Sequence, residues 1–89
     1  MIERKLEIVN KLGMHARAAA KFVTLASRFQ SDIRISLGET QVNGKSIMGV
    51  MMLAAAKESQ VCLHVEGPDE EEAVEKLSAL ISNRFDEAS

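Results

Sequence analysis

Each extended stretch of this chain places apolar residues on every second position, and this alternation restricts the fold more than any other feature. Ile33, Ile35 and Leu37 are separated by Arg34 and Ser36, and Val61, Leu63 and Val65 by Cys62 and His64. Successive side chains of a strand point to opposite faces, so strands of this kind bury one face and wet the other. A parallel sheet between two helical layers needs strands that are apolar on both faces. Ile2 to Val9 is a further such stretch, with Ile2, Leu6 and Ile8 in phase and Arg4 as the exception. Thr40 to Val42 is a short one, joined to Ile33–Leu37 by a turn at Gly38-Glu39.

Between these stretches the period changes from two to three and four. Ala19, Phe22, Val23, Ala26 and Phe29 form one apolar stripe and predict a helix from Ala16 to Phe29. Ser46 precedes Ile47-Met48-Gly49-Val50-Met51-Met52-Leu53, a short helix with Ser46 as its N-cap. Asp69 followed by Glu72 reads as a capping box, and Val74, Leu77, Ile81 and Phe85 as the core stripe of a last helix. The order is βαββαβα. With every strand wet on one side, it predicts an α+β open-faced sandwich: a four-stranded antiparallel sheet with three helices on one face. The 89 residues form one domain, 1–89.

Composition excludes several function classes. A net charge of −2 and only three aromatic residues, all Phe, argue against a nucleic-acid partner. One cysteine, Cys62, gives no disulfide and no cysteine zinc site, so no metal is expected. No apolar run approaches the ~18 residues of a membrane helix, and the N-terminus has no signal-peptide core. A cytoplasmic location without membrane insertion follows as the expectation. Charge is unevenly spread: residues 1–45 carry +4 and residues 46–89 carry −6. The first half is the better host for an anionic ligand.

His15 lies between the Gly13 turn and the first helix, at or beside its N-cap. The first N–H groups of a helix lack internal partners and, with the dipole, bind anions. Arg17 adds a guanidinium whose fork matches phosphate oxygens, and Lys11 adds to the local field. Taken alone, Gly-x-His-x-Arg also fits a surface histidine with no role. Ser46, as a cap, stands where a regulatory phosphate would meet free N–H groups. Ile47, Met48, Met51 and Met52 cannot all be buried by so short a helix, so some form an adaptable exposed surface. Cys62 and His64 share a strand face and are read as part of a solvated sheet surface.

At this point the constellation resembles a known family. Asn10-Lys11-Leu12-Gly13-Met14-His15-Ala16-Arg17-Ala18-Ala19-Ala20 is similar to the phosphorylated-histidine signature of the HPr phosphocarriers of the bacterial sugar phosphotransferase system. Val42-Asn43-Gly44-Lys45-Ser46-Ile47-Met48-Gly49-Val50-Met51 resembles that family's regulatory-serine segment. The resemblance spans essentially the whole chain. It implies that His15 accepts a phosphoryl group from phosphorylated enzyme I through Nδ1 and passes it to the A domains of enzymes II. Arg17 and the backbone at Ala16 and Arg17 would hold the phosphate. Ser46 would be the target of an HPr kinase/phosphorylase where one exists. Ala16, Ala20, Lys21, Ile47, Met48 and Met51 match the docking surface. The resemblance implies a carrier without cofactor, acting as a monomer, rather than an independent enzyme.

Some positions depart from the family pattern. Ala18 stands where Pro is usual, Thr24 and Ser27 where basic residues are common, and Glu58 where Gly is frequent. Met14 and Arg84-Phe85-Asp86-Glu87 resemble the nitrogen-related branch, and the Ser46 segment the kinase-regulated branch. A purely regulatory docking module, of nitrogen-related or catabolite-control type, is the alternative reading. Such a module would need neither His15 nor Arg17.

Overall fold

The computed structural model describes residues 1–88. In chain order the elements are β1 (Ile2–Glu7), α1 (Ala16–Ala26), β2 (Asp32–Leu37), β3 (Thr40–Asn43), α2 (Ile47–Met52), β4 (Gln60–Glu66) and α3 (Glu70–Ser82). A three-residue 3-10 turn, Arg84–Asp86, follows α3. The strands form one antiparallel sheet in the order β1-β4-β2-β3. The predicted sandwich is what forms.

Register carries the alternation across the sheet. Ile2 pairs with Val65, which pairs with Ile33; Arg4 pairs with Leu63, then Ile35 and Val42. These rows face the helices. Arg4, the odd residue on that face, reaches its edge and bonds Glu75 of α3 at 3.2 Å. The opposite rows, Glu3-His64-Arg34-Asn43 and Lys5-Cys62-Ser36-Gln41, form the open face. Phe22 of α1, Leu77 and Ile81 of α3, and Ile35 and Leu63 of the sheet are completely buried between the layers.

The element ends depart from the sequence expectation for identifiable reasons. β1 stops at Glu7, because Ile8 leaves the ladder and exchanges bonds with the 58–59 turn instead. That turn holds Glu58 at φ 75, a left-handed conformation that suits the glycine usual there and costs a side-chain-bearing residue about 1 kcal/mol or more. α1 stops at Ala26, three residues early. The N–H groups of Arg28 and Phe29 turn to carbonyls only three residues back, which tightens the end, yet Phe29 remains buried.

Two expectations at α3 are corrected. Asp69 precedes the helix but makes no side-chain cap bond, and no capping box forms. Its carboxylate instead accepts from the N–H groups of Gln30 and Ser31 and from the Ser31 hydroxyl, tying α3 to the start of β2. Glu70 takes over the backward bond, accepting from Gly67 N–H at 3.0 Å. Phe85 does lie in the core, but not on the helix. The chain leaves α3 at Ser82, and Arg84, Phe85 and Asp86 all adopt positive φ (58°, 53° and 63°) to turn it back.

Candidate functional site

The site begins with a tight loop. Asn10 accepts Gly13 N–H on its carbonyl, and its side-chain amide donates to the Gly13 carbonyl at 2.8 Å. Gly13 has φ +68° and packs directly on the Ala55 backbone, where Met14 N–H donates to the Ala55 carbonyl at 2.8 Å. This loop delivers His15 to the N-cap of α1 with φ −78° and ψ 178°. The His15 carbonyl accepts the first helical bond, from Ala19 N–H.

The ring is held at both nitrogens. Nδ1 accepts from the backbone N–H of Arg17 at 3.3 Å, as an N-cap side chain does. Nε2 meets the Glu87 carboxylate at 2.5 Å. A neutral imidazole carries one N–H, so a ring that accepts at Nδ1 donates at Nε2. The Nδ1 lone pair therefore faces the free N–H groups of the first helical turn. The His15 side chain is 26% exposed. Ala16 and Arg17 are exposed beside it. The Arg17 guanidinium makes no ion pair among the described residues, and it lines an open depression with Lys11, Leu12, His15, Lys21 and Glu87.

Glu87 is the residue that sequence reasoning missed. The run Arg84–Glu87 carries no local signal for a role at His15, because 72 positions separate the two residues. Burial of Phe85 pins the tail, Lys21 Nζ donates to the Phe85 carbonyl at 2.8 Å, and Asn10 Nδ2 donates to Glu87 Oε1 at 3.0 Å. Burial pushes the Glu87 carboxyl up, but hydrogen bonds from Asn10 and His15 and the nearby Lys21 ammonium outweigh it and hold it below the ordinary range. Lys21, expected on the docking surface, thus has its ammonium engaged with the tail.

The other candidates fall where their chemistry suggests. Ser46 caps α2, its hydroxyl accepting from Gly49 N–H at 3.1 Å. α2 buries Val50, and Leu53 follows it into the core, while Ile47, Met48, Met51 and Met52 are left exposed. α2 packs beside α1, and Ala20 is half-buried on the latter. Leu12, 67% exposed in the loop before His15, is a further apolar surface residue that the pattern did not mark. Cys62 and His64 lie on the open face. There His64 bonds Glu3 through Nδ1 and Ser36 through Nε2, so its ring is committed to cross-strand contacts.

An imidazole capping a helix, on an open-faced sandwich with exposed apolar residues nearby, defines a small protein that presents one ring at a helix start beside an apolar surface. Comparison with known proteins narrows this. The family model described as the PTS HPr component phosphorylation site matches residues 2–83. The phosphocarrier protein HPr of Cupriavidus necator is 55% identical over 87 residues, 98% of both chains. That of Pseudomonas aeruginosa is 55% identical over 84 residues, 93% of each chain. The crystal structure of HPr-C-His from Thermoanaerobacter tengcongensis superposes with a TM-score of 0.96 at 47% identity, covering 100% of both chains. An HPr dimer from the same organism gives 0.78 at 48% identity, covering 98% of this chain and 100% of that one. The chain belongs to the HPr family of phosphocarriers of the phosphotransferase system. Among the described residues, no helix is long and apolar enough to cross a membrane.

Proposed function

We propose that this chain carries a phosphoryl group on His15 Nδ1, accepting it from phosphorylated enzyme I and donating it to the A domains of enzymes II. The observation that carries this reading is the orientation of the ring. Nε2 is occupied by Glu87, and Nδ1 points its lone pair at the start of α1. In transfer, Nδ1 attacks phosphorus while the bond to the donor breaks. The Arg17 N–H, which donates to Nδ1 in the free protein, becomes available to a phosphoryl oxygen, together with Ala16 N–H. The helix dipole and the Arg17 guanidinium take up the remaining charge. Backbone dipoles and one arginine bind the group without trapping it, which suits a carrier that must release it. His15 and Arg17 come from the same chain, which supports action as a monomer.

The exposed Ile47, Met48 and Met51, with Ala16, Ala20 and Lys21, are the proposed docking surface. Ser46 borders it, and phosphorylation there by an HPr kinase/phosphorylase would set a dianion beside an apolar contact. A purely regulatory module would not need the Nδ1 geometry described above. The test is incubation with phosphoenolpyruvate and enzyme I followed by intact mass. One added phosphoryl group, acid-labile and base-stable, is expected, and none in His15→Ala. Label that persists in His15→Ala, or that maps to His64, overturns the assignment.

A further inference from the structure

We propose that Met48, Met51 and Met52 of α2 are a redox modification site: oxidation of their thioethers to sulfoxides by a peroxide weakens docking of enzyme I without unfolding the protein. This rests on the docking surface proposed above and deepens it by naming what regulates it.

The placement of the methionines separates docking from folding. Of the five in the chain, three lie on this one short helix. Residues three and four apart share a helix face, so Met48 forms one cluster with Met51 and Met52. Met48 and Met52 are 76% and 75% exposed and Met51 is 41% exposed, and none of the three belongs to the core. α2 is held instead by buried Val50 and Leu53 and by its cap, the Ser46 hydroxyl that accepts from Gly49 N–H. Met14, directly before His15, is only 4% exposed and packs in the core. A dissolved oxidant must reach the sulfur, so the thioethers of the docking surface are open to it and the one beside the reaction site is shielded.

The step is a two-electron oxidation. A sulfur electron pair attacks one oxygen of hydrogen peroxide, the O–O bond breaks, and the departing hydroxide takes the proton of the transferred oxygen. The products are methionine sulfoxide and water. A sulfoxide reductase reverses the change with a dithiol, which is oxidised to a disulfide while the oxygen leaves as water. A thioether adapts to an irregular apolar partner with no hydrogen bond at stake. The sulfoxide oxygen is a strong acceptor, and an apolar partner that covers it strips its water and returns nothing. That cost falls on the docked state alone, because in the free protein the three side chains stay in water.

The test uses a Cys62→Ser background, which leaves methionine as the only sulfur, and a second protein that adds Met48→Leu, Met51→Leu and Met52→Leu. Each is treated with hydrogen peroxide, cleared of it with catalase, and compared with its own untreated form. Peptide mass reads which methionines gain oxygen, circular dichroism reads Tm, and enzyme I with phosphoenolpyruvate reads uptake. Met48, Met51 and Met52 should each gain one oxygen well before Met14. Uptake should fall at least about tenfold, Tm should hold, and sulfoxide reductases with dithiothreitol should restore the rate. The leucine protein should not respond to peroxide; it keeps exposed Met1, so Met1 oxidation is controlled. The proposal is overturned if Met14 oxidises as readily as the α2 methionines, if both proteins slow equally, or if oxidised protein takes up phosphate at the untreated rate. Met48→Lys, measured without peroxide, tells the two readings apart. If it slows uptake while oxidation does not, the redox inference alone fails. If it too leaves uptake unchanged, the docking surface is wrong and the inference falls with it.

Discussion

Replacing Gly13 by Ala should damage both the fold and the His15 loop, and the structure sets the size of the effect. A Cβ at Gly13 would lie 2.4 Å from the Ala55 carbonyl oxygen and 2.9 Å from Ala56 Cα. Ordinary contact begins near 3.4 Å, so the carbonyl must retreat by about 1 Å. That same carbonyl accepts Met14 N–H at 2.8 Å, and a retreat of this size breaks the bond. Losing a buried hydrogen bond costs about 1–3 kcal/mol, and a left-handed non-glycine residue about 1–2 kcal/mol. The stiffer unfolded chain returns about 0.4–1 kcal/mol. The net is about 3 kcal/mol, or roughly 15 °C in Tm for a domain of this size. Gly38→Ala is the internal control. Gly38 has φ +61°, but a Cβ there meets nothing within 4 Å. It bears the dihedral cost alone, about 1 kcal/mol or less after the unfolded-state gain. The chain has no Trp or Tyr, so thermal unfolding is followed by far-ultraviolet circular dichroism. Gly13→Ala should also slow phosphoryl uptake, because Met14 precedes His15. If Gly13→Ala melts no lower than Gly38→Ala, the close approach to the Ala55 backbone is not the constraint argued here.

Arg17→Ala should leave stability within about 0.5 kcal/mol but slow phosphoryl uptake at least tenfold, about 1.4 kcal/mol of transition-state stabilisation; an unchanged rate would show that backbone dipoles suffice. Ser46→Asp should slow enzyme I-dependent uptake without lowering Tm, because its charge sits at the favourable end of α2 but beside an apolar contact. Wild-type uptake at wild-type Tm would reduce Ser46 to a helix cap. The Ser31 hydroxyl and then Gln30 N–H hold the Asp69 carboxyl below the ordinary range, outweighing the opposing effect of burial. A carboxyl depressed in the folded state stabilises above its unfolded pKa, and that contribution fades as pH falls through the folded value. Asp69→Ala should therefore lower the urea midpoint at about pH 7 by more than at about pH 2.5, a window set by the ordinary carboxylate value. A gap that stays constant with pH would place the effect in packing rather than charge.

Much of this molecule is local, and that part was legible in the chain. Alternation at Ile33–Leu37 and Val61–Val65 specified strands wet on one side, because a strand exposes its faces in turn whatever it pairs with. The stripe Ala19, Phe22, Val23, Ala26 specified the buried face of α1. His15 and Ser46 announced helix starts because capping is satisfied within three residues. Tertiary structure decided what local pattern leaves open. Asp69 had a cap motif, yet the open N–H groups of Gln30 and Ser31, 39 and 38 residues away, offered its carboxylate more bonds than its own helix. Phe85 continued the α3 stripe in sequence, but the core receives it from a left-handed turn beyond the helix end. Glu87 was the extreme case. Nothing within a few residues of it marks a role, and only the anchoring of Phe85 and the buried Asn10 amide bring its carboxylate to His15. Periodicity and capping are energies of neighbours along the chain. The partner of a side chain 72 residues distant depends on where the whole core places both, and no short stretch of sequence holds that information.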